Sequence, residues 1–284
     1  MSVLTINKLT DSVGAEVVGV DADALAHDDG LASAVLDALE DNGVLVFHDL
    51  HLHEDPQAQV AFCERLGEID RSADGHHPVS GIYPITLDKT KNKAAEYLKA
   101  TFDWHIDGCT PTAPDECPQK ATVLSAIQVA ARGGETEFAN SYAAYETLSE
   151  KEKQRYAGLR VVHSLEASQR RVYPDPTPEQ LERWQARPTH ENPLVWTHRN
   201  GRKSLVLGAS ADYIVGMDRD EGRALLGELL AHSTTVDKVY SHKWSVGDTV
   251  IWDNQGVLHR AAPYEPNSPR EMLRTTVLGD EPIQ

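Results

Sequence analysis

The stretch Val250-Ile251-Trp252-Asp253-Asn254-Gln255-Gly256-Val257-Leu258-His259-Arg260 sets a short apolar run on each side of a polar turn. Apolar runs this short fit strands rather than helices, and the Asp-Asn-Gln-Gly between them suits a tight reversal. The same pattern recurs along the second half of the chain. Strands are predicted over 122–129, 160–163, 194–198, 204–207, 238–244, 249–252, 257–260 and 273–278. Turn signals at Gly133-Gly134, Asn200-Gly201 and Gly247-Asp248 separate many of them. Helical periodicity interrupts the strands over 143–156 and 218–232. Many short strands with interspersed turns predict a mainly β protein, a sandwich or barrel with helices packed outside.

The first sixty-odd residues mix the two periods. Residues 15–20 alternate as a strand. Residues 30–41 place Leu31, Val35, Leu36 and Leu39 on one helical face, and Asn42-Gly43 stops that helix. Val44-Leu45-Val46-Phe47 reads as a buried strand, and 57–66 as a second helix. The polar, proline-bearing stretch 166–191 is only weakly periodic, and reads as an insertion over the β core that could serve as a lid.

The 284 residues carry a formal charge of −17, from 27 Lys and Arg against 44 Asp and Glu. That excludes a binder of nucleic acid or anionic membrane, both of which need clustered positive charge. Three cysteines without framework spacing, and an N-terminus without a basic and then apolar leader, fit a reduced, cytoplasmic protein. No apolar run is long enough to span a bilayer.

Thirteen histidines remain to be explained. His-x-Asp occurs three times. His27/Asp29 and His53/Asp55 lie in charged, turn-like stretches and read as solvated loop charge. His105 and Asp107 lie in Thr101-Phe102-Asp103-Trp104-His105-Ile106-Asp107-Gly108. In extended backbone, residues two apart point the same way, so these two can converge on one point with Trp104 and Ile106 packed behind. An imidazole and a carboxylate are two of the three ligands that a facial Fe(II) site needs. His259, closing the second run of the opening stretch, is the candidate third. Arg270 and Arg274 follow, and a guanidinium fork suits a carboxylate.

Taken together, these pieces resemble the TauD/TfdA family of Fe(II)- and 2-oxoglutarate-dependent dioxygenases, with a likeness to its aryloxyalkanoate branch. The resemblance is carried by Trp104-His105-Ile106-Asp107, Gly133 to Phe138, Ser141 to Tyr145, Trp252 to Asn254, His259-Arg260 and Arg270 to Asp280, in the family's order and spacing. It covers nearly the whole chain and implies one domain over 1–284 with a double-stranded β-helix (jelly-roll) core. It implies His105, Asp107 and His259 on Fe(II), and Thr136 and Arg270 on the distal carboxylate of 2-oxoglutarate. Arg274 is implied for an anionic group of the primary substrate, or for the other end of the cosubstrate. His76, Tyr83, Lys99 and Thr101 fall where the family places substrate contacts, although ordinary loop roles suit them equally well. Segment 73–100, with its lysine-rich run, is a second lid candidate and departs from the taurine and aryloxyalkanoate patterns. Family members are often dimers or tetramers, so a homo-oligomer is expected.

The implied reaction uses O2 and 2-oxoglutarate to hydroxylate a C–H of a small organic anion, a carboxylate, sulfonate or sulfate. Cleavage of an adjacent C–O, C–N or C–S bond follows where the hydroxylated product collapses. Two alternatives stand beside it: oxidative decarboxylation of an N-carboxymethyl amino acid, as in isonitrile-forming relatives, and a jelly-roll binding protein without turnover. The presence of all three ligands and Arg270 argues against the second. Trp252, Asp253 and Asn254 are read as structural, and His163, His190, His198, His232 and His242 as core or surface.

Overall fold

The computed structural model describes residues 4–72, 76–111 and 117–284. The chain opens with an antiparallel pair, β1 (Thr5–Lys8) and β2 (Ala15–Val18), then helices α1 (Ala22–His27) and α2 (Asp29–Asn42). Strand β3 (Val44–Phe47), helix α3 (Pro56–Leu66) and β4 (Tyr83–Ile85) follow. Next come β5 (Ala121–Gln128), β6 (Thr136–Asn140), α4 (Ser141–Glu146), α5 (Glu150–Tyr156) and β7 (Arg160–His163). Helices α6 (Leu165–Val172) and α7 (Pro178–Gln185) lead to β8 (His190–Pro193), β9 (Val195–Thr197), β10 (Lys203–Leu205) and β11 (Ala211–Ile214). The chain ends with α8 (Arg219–Ser233), β12 (Val239–His242), β13 (Thr249–Asp253), β14 (Val257–Ala261) and β15 (Glu271–Val277).

Seven strands form the main sheet in the order β1-β2-β3-β13-β5-β15-β4, and a second sheet runs β12-β6-β14. Strand alternation makes the main sheet two-faced. Val44, Val46, Leu124, Val250, Trp252 and Met272 point inward, to Phe138 and Val257 of the second sheet. Their neighbours Leu45, Phe47, Val123, Ile251 and Leu273 point outward, beneath helices α1 to α3. This explains why Val44–Phe47 is apolar at every position: the strand is covered on both faces. A third core behind the second sheet packs Ala139 and Leu258 against residues of α4 and α8. Two packed β layers with helices outside are the mainly β, jelly-roll arrangement expected.

Local chemistry sets the helix limits. The Asp28 carboxylate accepts from the amides of Gly30 and Leu31 at the start of α2, and Gly43 ends it at φ 71°. The single helix expected over 143–156 is two helices, because Ser149 and Glu152 form a reciprocal capping box that starts a new one. Strand β6, absent from the sequence prediction, is the middle strand of the second sheet. The stretch 166–191 is not an irregular insertion. It holds α6, α7 and the start of β8, anchored by Trp184, which is 2% exposed. Segment 73–100 is likewise partly built into the fold. Its β4 pairs with β15, and a 3-10 helix spans Tyr97–Phe102. Residues 73–75 of it lie outside the described residues.

Candidate active site

His105 and His259 come together because their backbones pair. His105 N–H donates to the His259 carbonyl at 3.0 Å, and His259 N–H donates back to the His105 carbonyl at 2.9 Å. The two rings then lie 4.2 Å apart. Gly208 packs so closely behind this pairing that a Cβ there would sit 2.8 Å from His105 Cα. Asp107, two residues on, reaches the same point: Oδ1 is 3.8 Å from His105 Nε2, and Oδ2 is 3.7 Å from His259 Nε2. Residues 105 and 107, two apart in extended backbone, therefore do face one point, as expected from the sequence.

These three residues offer ligand atoms that all lie within 4.8 Å of one another. The His105 ring nitrogen Nδ1 lies 2.9 Å from the Asp103 carbonyl. A carbonyl can only accept, so Nδ1 carries a proton, and the tautomer this selects has its lone pair on Nε2, beside Asp107. Burial, helped by the neighbouring His105, pushes His259 down to about 3, so its imidazole is neutral at neutral pH. Burial alone would raise the Asp107 carboxyl, but the two imidazoles and the Arg274 guanidinium outweigh it and hold the group below its ordinary value. Two imidazoles and one carboxylate, with no thiolate, suit Fe(II) and leave room for further ligands. Nearby Cys109 stays a thiol, raised to about 12 by burial and by Asp107.

One cavity of about 70 Å³ is lined by the three residues and by Thr101, Thr136, Arg270 and Arg274. Arg270 is 2% exposed, yet no carboxylate pairs with it among the described residues. Its Nε donates to the Gly134 carbonyl at 3.1 Å, and its guanidinium lies over the Tyr264 ring at 5.0 Å. The Gly133-Gly134 turn makes this approach possible. Both residues have positive φ, and a Cβ at Gly134 would come within 3.0 Å of Arg270 Cδ. Burial without a counter-ion pulls Arg270 below its ordinary value, with Tyr264 and Glu135 opposing. The Thr136 hydroxyl accepts from Trp244 Nε1 at 2.9 Å, which leaves its proton to donate elsewhere.

Arg274 lies over the Tyr83 ring at 5.1 Å, its register partner across the β4–β15 pair, and its buried Nε has no partner. The nearest carboxylate is Asp107, 4.0 Å from Nη1. The other sequence candidates sit farther out. Tyr83 flanks Arg274 and donates to Asn92 at 3.0 Å, His76 lies edge-on to Tyr83, and Lys99 is on the 3-10 helix; none of the three lines the cavity. Thr101 does, with its hydroxyl bonded to the Leu98 carbonyl. Lys91, in the lysine-rich run, is held by Glu271 instead of facing the cavity.

Residues missed from sequence complete the wall. Trp252, read as core, lies tilted against His259 with ring centroids 4.9 Å apart and also lines the cavity. Ile85, Leu98, Leu124 and Tyr264 add apolar surface. Strand alternation could have found Trp252 and Leu124; nothing local marks Tyr264, which arrives on a loop. A larger cavity, of about 800 Å³, lies elsewhere and contains none of the three ligand candidates.

No helix among the described residues is long and apolar enough to cross a membrane. The family model for taurine catabolism dioxygenase TauD, TfdA family, matches residues 5–276. The chain is 34% identical over 256 residues to the alpha-ketoglutarate-dependent 2,4-dichlorophenoxyacetate dioxygenase of Cupriavidus pinatubonensis, covering 85% of this chain and 86% of that protein. It is 30% identical over 295 residues to the alpha-ketoglutarate-dependent sulfate ester dioxygenase of Pseudomonas putida, covering 99% and 91%. Among solved structures, AAD-2 in complex with Mn(II) and N-oxalylglycine superposes with a TM-score of 0.83 at 31% identity, over 99% of this chain and all of that one. With the match running nearly end to end and the donor set suited to iron, the chain belongs to the TauD/TfdA family and is a 2-oxoglutarate-dependent dioxygenase that uses Fe(II) and O2.

Proposed function

We propose that this dioxygenase hydroxylates a small organic anion with an apolar body, at a carbon bonded to an ether or sulfate-ester oxygen. The observation that carries the substrate class is Arg274: a guanidinium with a buried, unpartnered Nε, beside the ligand cluster, in a cavity whose apolar surface comes from Ile85, Leu98, Leu124 and Trp252. A charged head on Arg274 would orient an aromatic or alkyl body along that wall. The relatives named for 2,4-dichlorophenoxyacetate and for sulfate esters support this, since both substrates combine an anion with a cleavable C–O bond.

In this reading His105, Asp107 and His259 hold Fe(II), and Arg270 and Thr136 bind the distal carboxylate of 2-oxoglutarate. Bound iron, with 2-oxoglutarate and O2, supplies the oxidation that yields succinate, CO2 and the hydroxylated substrate. The Asp103 carbonyl keeps the His105 proton on Nδ1, so that Nε2 remains available to iron. Arg270 supplies the counter-charge that fixes one end of the cosubstrate, and Trp244 orients the Thr136 hydroxyl toward it. Arg274 would hold the substrate's anion and so position the adjacent C–H beside the cluster of His105, Asp107 and His259. Hydroxylation there makes a hemiacetal-like carbon, which collapses to a carbonyl and releases a phenol, alcohol or sulfate. The chain acts as one domain, and Ile85 and Leu98, both from the expected lid segment before the ligand cluster, line the cavity and help keep water from it.

The test is succinate release in the presence of aryloxyalkanoates, alkyl sulfates and taurine. Release should rise above the basal rate with one of the first two classes and stay basal with taurine. Uniform basal release would refute the substrate class. The ligand assignment has its own test: anaerobic Fe(II) and 2-oxoglutarate should give a visible charge-transfer band that His105→Ala abolishes, and no band in the native protein would overturn it.

A further inference from the structure

The cavity of about 800 Å³ lies between α6, α7, β7, β11 and α8, with none of the candidate iron ligands in its lining. Its apolar surface comes from Val162, Leu207, Leu226 and Leu230, with Trp184 in the wall. Its charge runs against the rest of the molecule. Arg170, Arg171, Arg187, Arg219 and Arg223 line it, but only two acids, Glu166 and Asp212, in a chain with 44 acids and 27 basic residues.

The two acids are already engaged. Glu166 pairs with Arg170 at 2.7 Å, and Asp212 pairs with Arg223 at 2.7 Å and Arg219 at 3.6 Å. Arg171 reaches only Asp103, at 3.9 Å, and Arg187 makes no ion pair among the described residues. Two guanidinium groups are thus left without a close counter-ion at the mouth of an apolar hollow.

Gly227 is the independent observation. It lines the cavity from the middle of α8, where glycine is disfavoured against alanine. Its φ is not in the left-handed region, and a Cβ built on it would meet nothing within 4 Å. Neither backbone conformation nor close packing calls for glycine there. Gly227 is exposed, and a large side chain placed there would project into the open space that it lines.

We propose that this cavity is a second binding site, for an organic anion with an apolar body, its head on Arg171 and Arg187 and its body over Val162, Leu207 and Leu226. Binding here is independent of the iron site and stands or falls separately from the reading of that site. It is nonetheless close to it in the fold. Leu207 and Gly208 line the cavity, and Gly208 is the residue packed on the His105 backbone.

The probe is 8-anilinonaphthalene-1-sulfonate, which has a fused aromatic body and one sulfonate. It is titrated into the full chain with and without Mn(II) and N-oxalylglycine. The expected result is saturable, one-to-one binding with the same affinity in both states. Gly227→Phe, which fills the space from α8, and Arg187→Glu, which reverses an exposed charge, should each weaken it at least tenfold. Both variants should melt cooperatively and keep basal succinate release within twofold of the native protein. The proposal is overturned by absence of saturable binding, by displacement on loading Mn(II) and N-oxalylglycine, or by unchanged affinity in both variants. It is also overturned if sedimentation shows a self-associated native chain that Arg187→Glu dissociates, because the cavity would then be an interface between copies.

Discussion

Replacing Arg270 by methionine separates a binding guanidinium from a structural one. A structural arginine is held by carboxylates, and its loss destabilises the fold. Arg270 has none to lose. Its removal forfeits one charge-assisted bond to the Gly134 carbonyl, worth about 1.5–3 kcal/mol, and a cation–π contact with Tyr264 worth about 1–2 kcal/mol. Against that stands the penalty of burying an uncompensated ion, several kcal/mol in real proteins. At 2% exposure that penalty is hardly relieved by solvent. The two sides nearly cancel, so Arg270→Met should melt within a few degrees of the native protein, or above it. Cosubstrate binding should behave oppositely. Two charge-assisted bonds to a carboxylate amount to roughly 3–4 kcal/mol, or a hundred- to thousand-fold in affinity for 2-oxoglutarate. A clean assay is the thermal shift produced by N-oxalylglycine with Mn(II). At a hundred times Kd a ligand contributes about 2.7 kcal/mol, a shift of roughly 5 °C for a domain of this size. The shift should vanish in Arg270→Met while the unliganded melting temperature holds. A variant that loses several kcal/mol unliganded, yet keeps the ligand shift and an unchanged KM for 2-oxoglutarate, would make Arg270 a structural residue and not a binding one.

Three further outcomes are expected. Thr136→Val strands the buried Trp244 N–H, so urea melts should show a loss of about 1–3 kcal/mol together with a higher KM for 2-oxoglutarate, and Thr136→Ser should restore both. Arg274→Ala should raise KM for the primary substrate at least tenfold and leave basal succinate release and KM for 2-oxoglutarate within about twofold; equal effects on both would reassign the residue to the cosubstrate. Asp248 bridges His48 and His242 and receives the Ser245 amide. Burial would raise its pKa, but those partners bring it down to about 2. A depressed carboxyl stabilises the fold above its unfolded value near 3.8, and that stability is lost as pH falls toward 2. Asp248→Asn should therefore cost about 2 kcal/mol at pH 6 and less by pH 2, as read from denaturant melts.

The clustering of the candidate ligands was legible because iron demands particular side chains, and because period-two geometry in Trp104-His105-Ile106-Asp107 already puts two of them on one side. Strands Val44–Phe47 and Arg160–His163 were legible in full, the first because burial on both faces leaves it uniformly apolar. What escaped did so for physical reasons. The break in 143–156 is a capping box, Ser149 to Glu152, hidden inside an otherwise helical pattern. Strand β6 has only two apolar residues, Phe138 and Ala139, between Thr136, Glu137 and Asn140, which dilutes its apolar signal. Helices α6 and α7 bury only Gln169 and Trp184 between them, too little for a periodic stripe. The cavity wall is the least local feature of all. Tyr264 reaches Arg270 from a loop and also rests on Phe102 of the 3-10 helix, and Tyr83 meets Arg274 only because β4 and β15 pair in that register. Ligand identity is a property of residue type, but the space around the ligands belongs to long-range packing. It follows that the reaction class was readable from the chain, whereas the substrate class rests on the apolar wall that strand pairing assembled around Arg274.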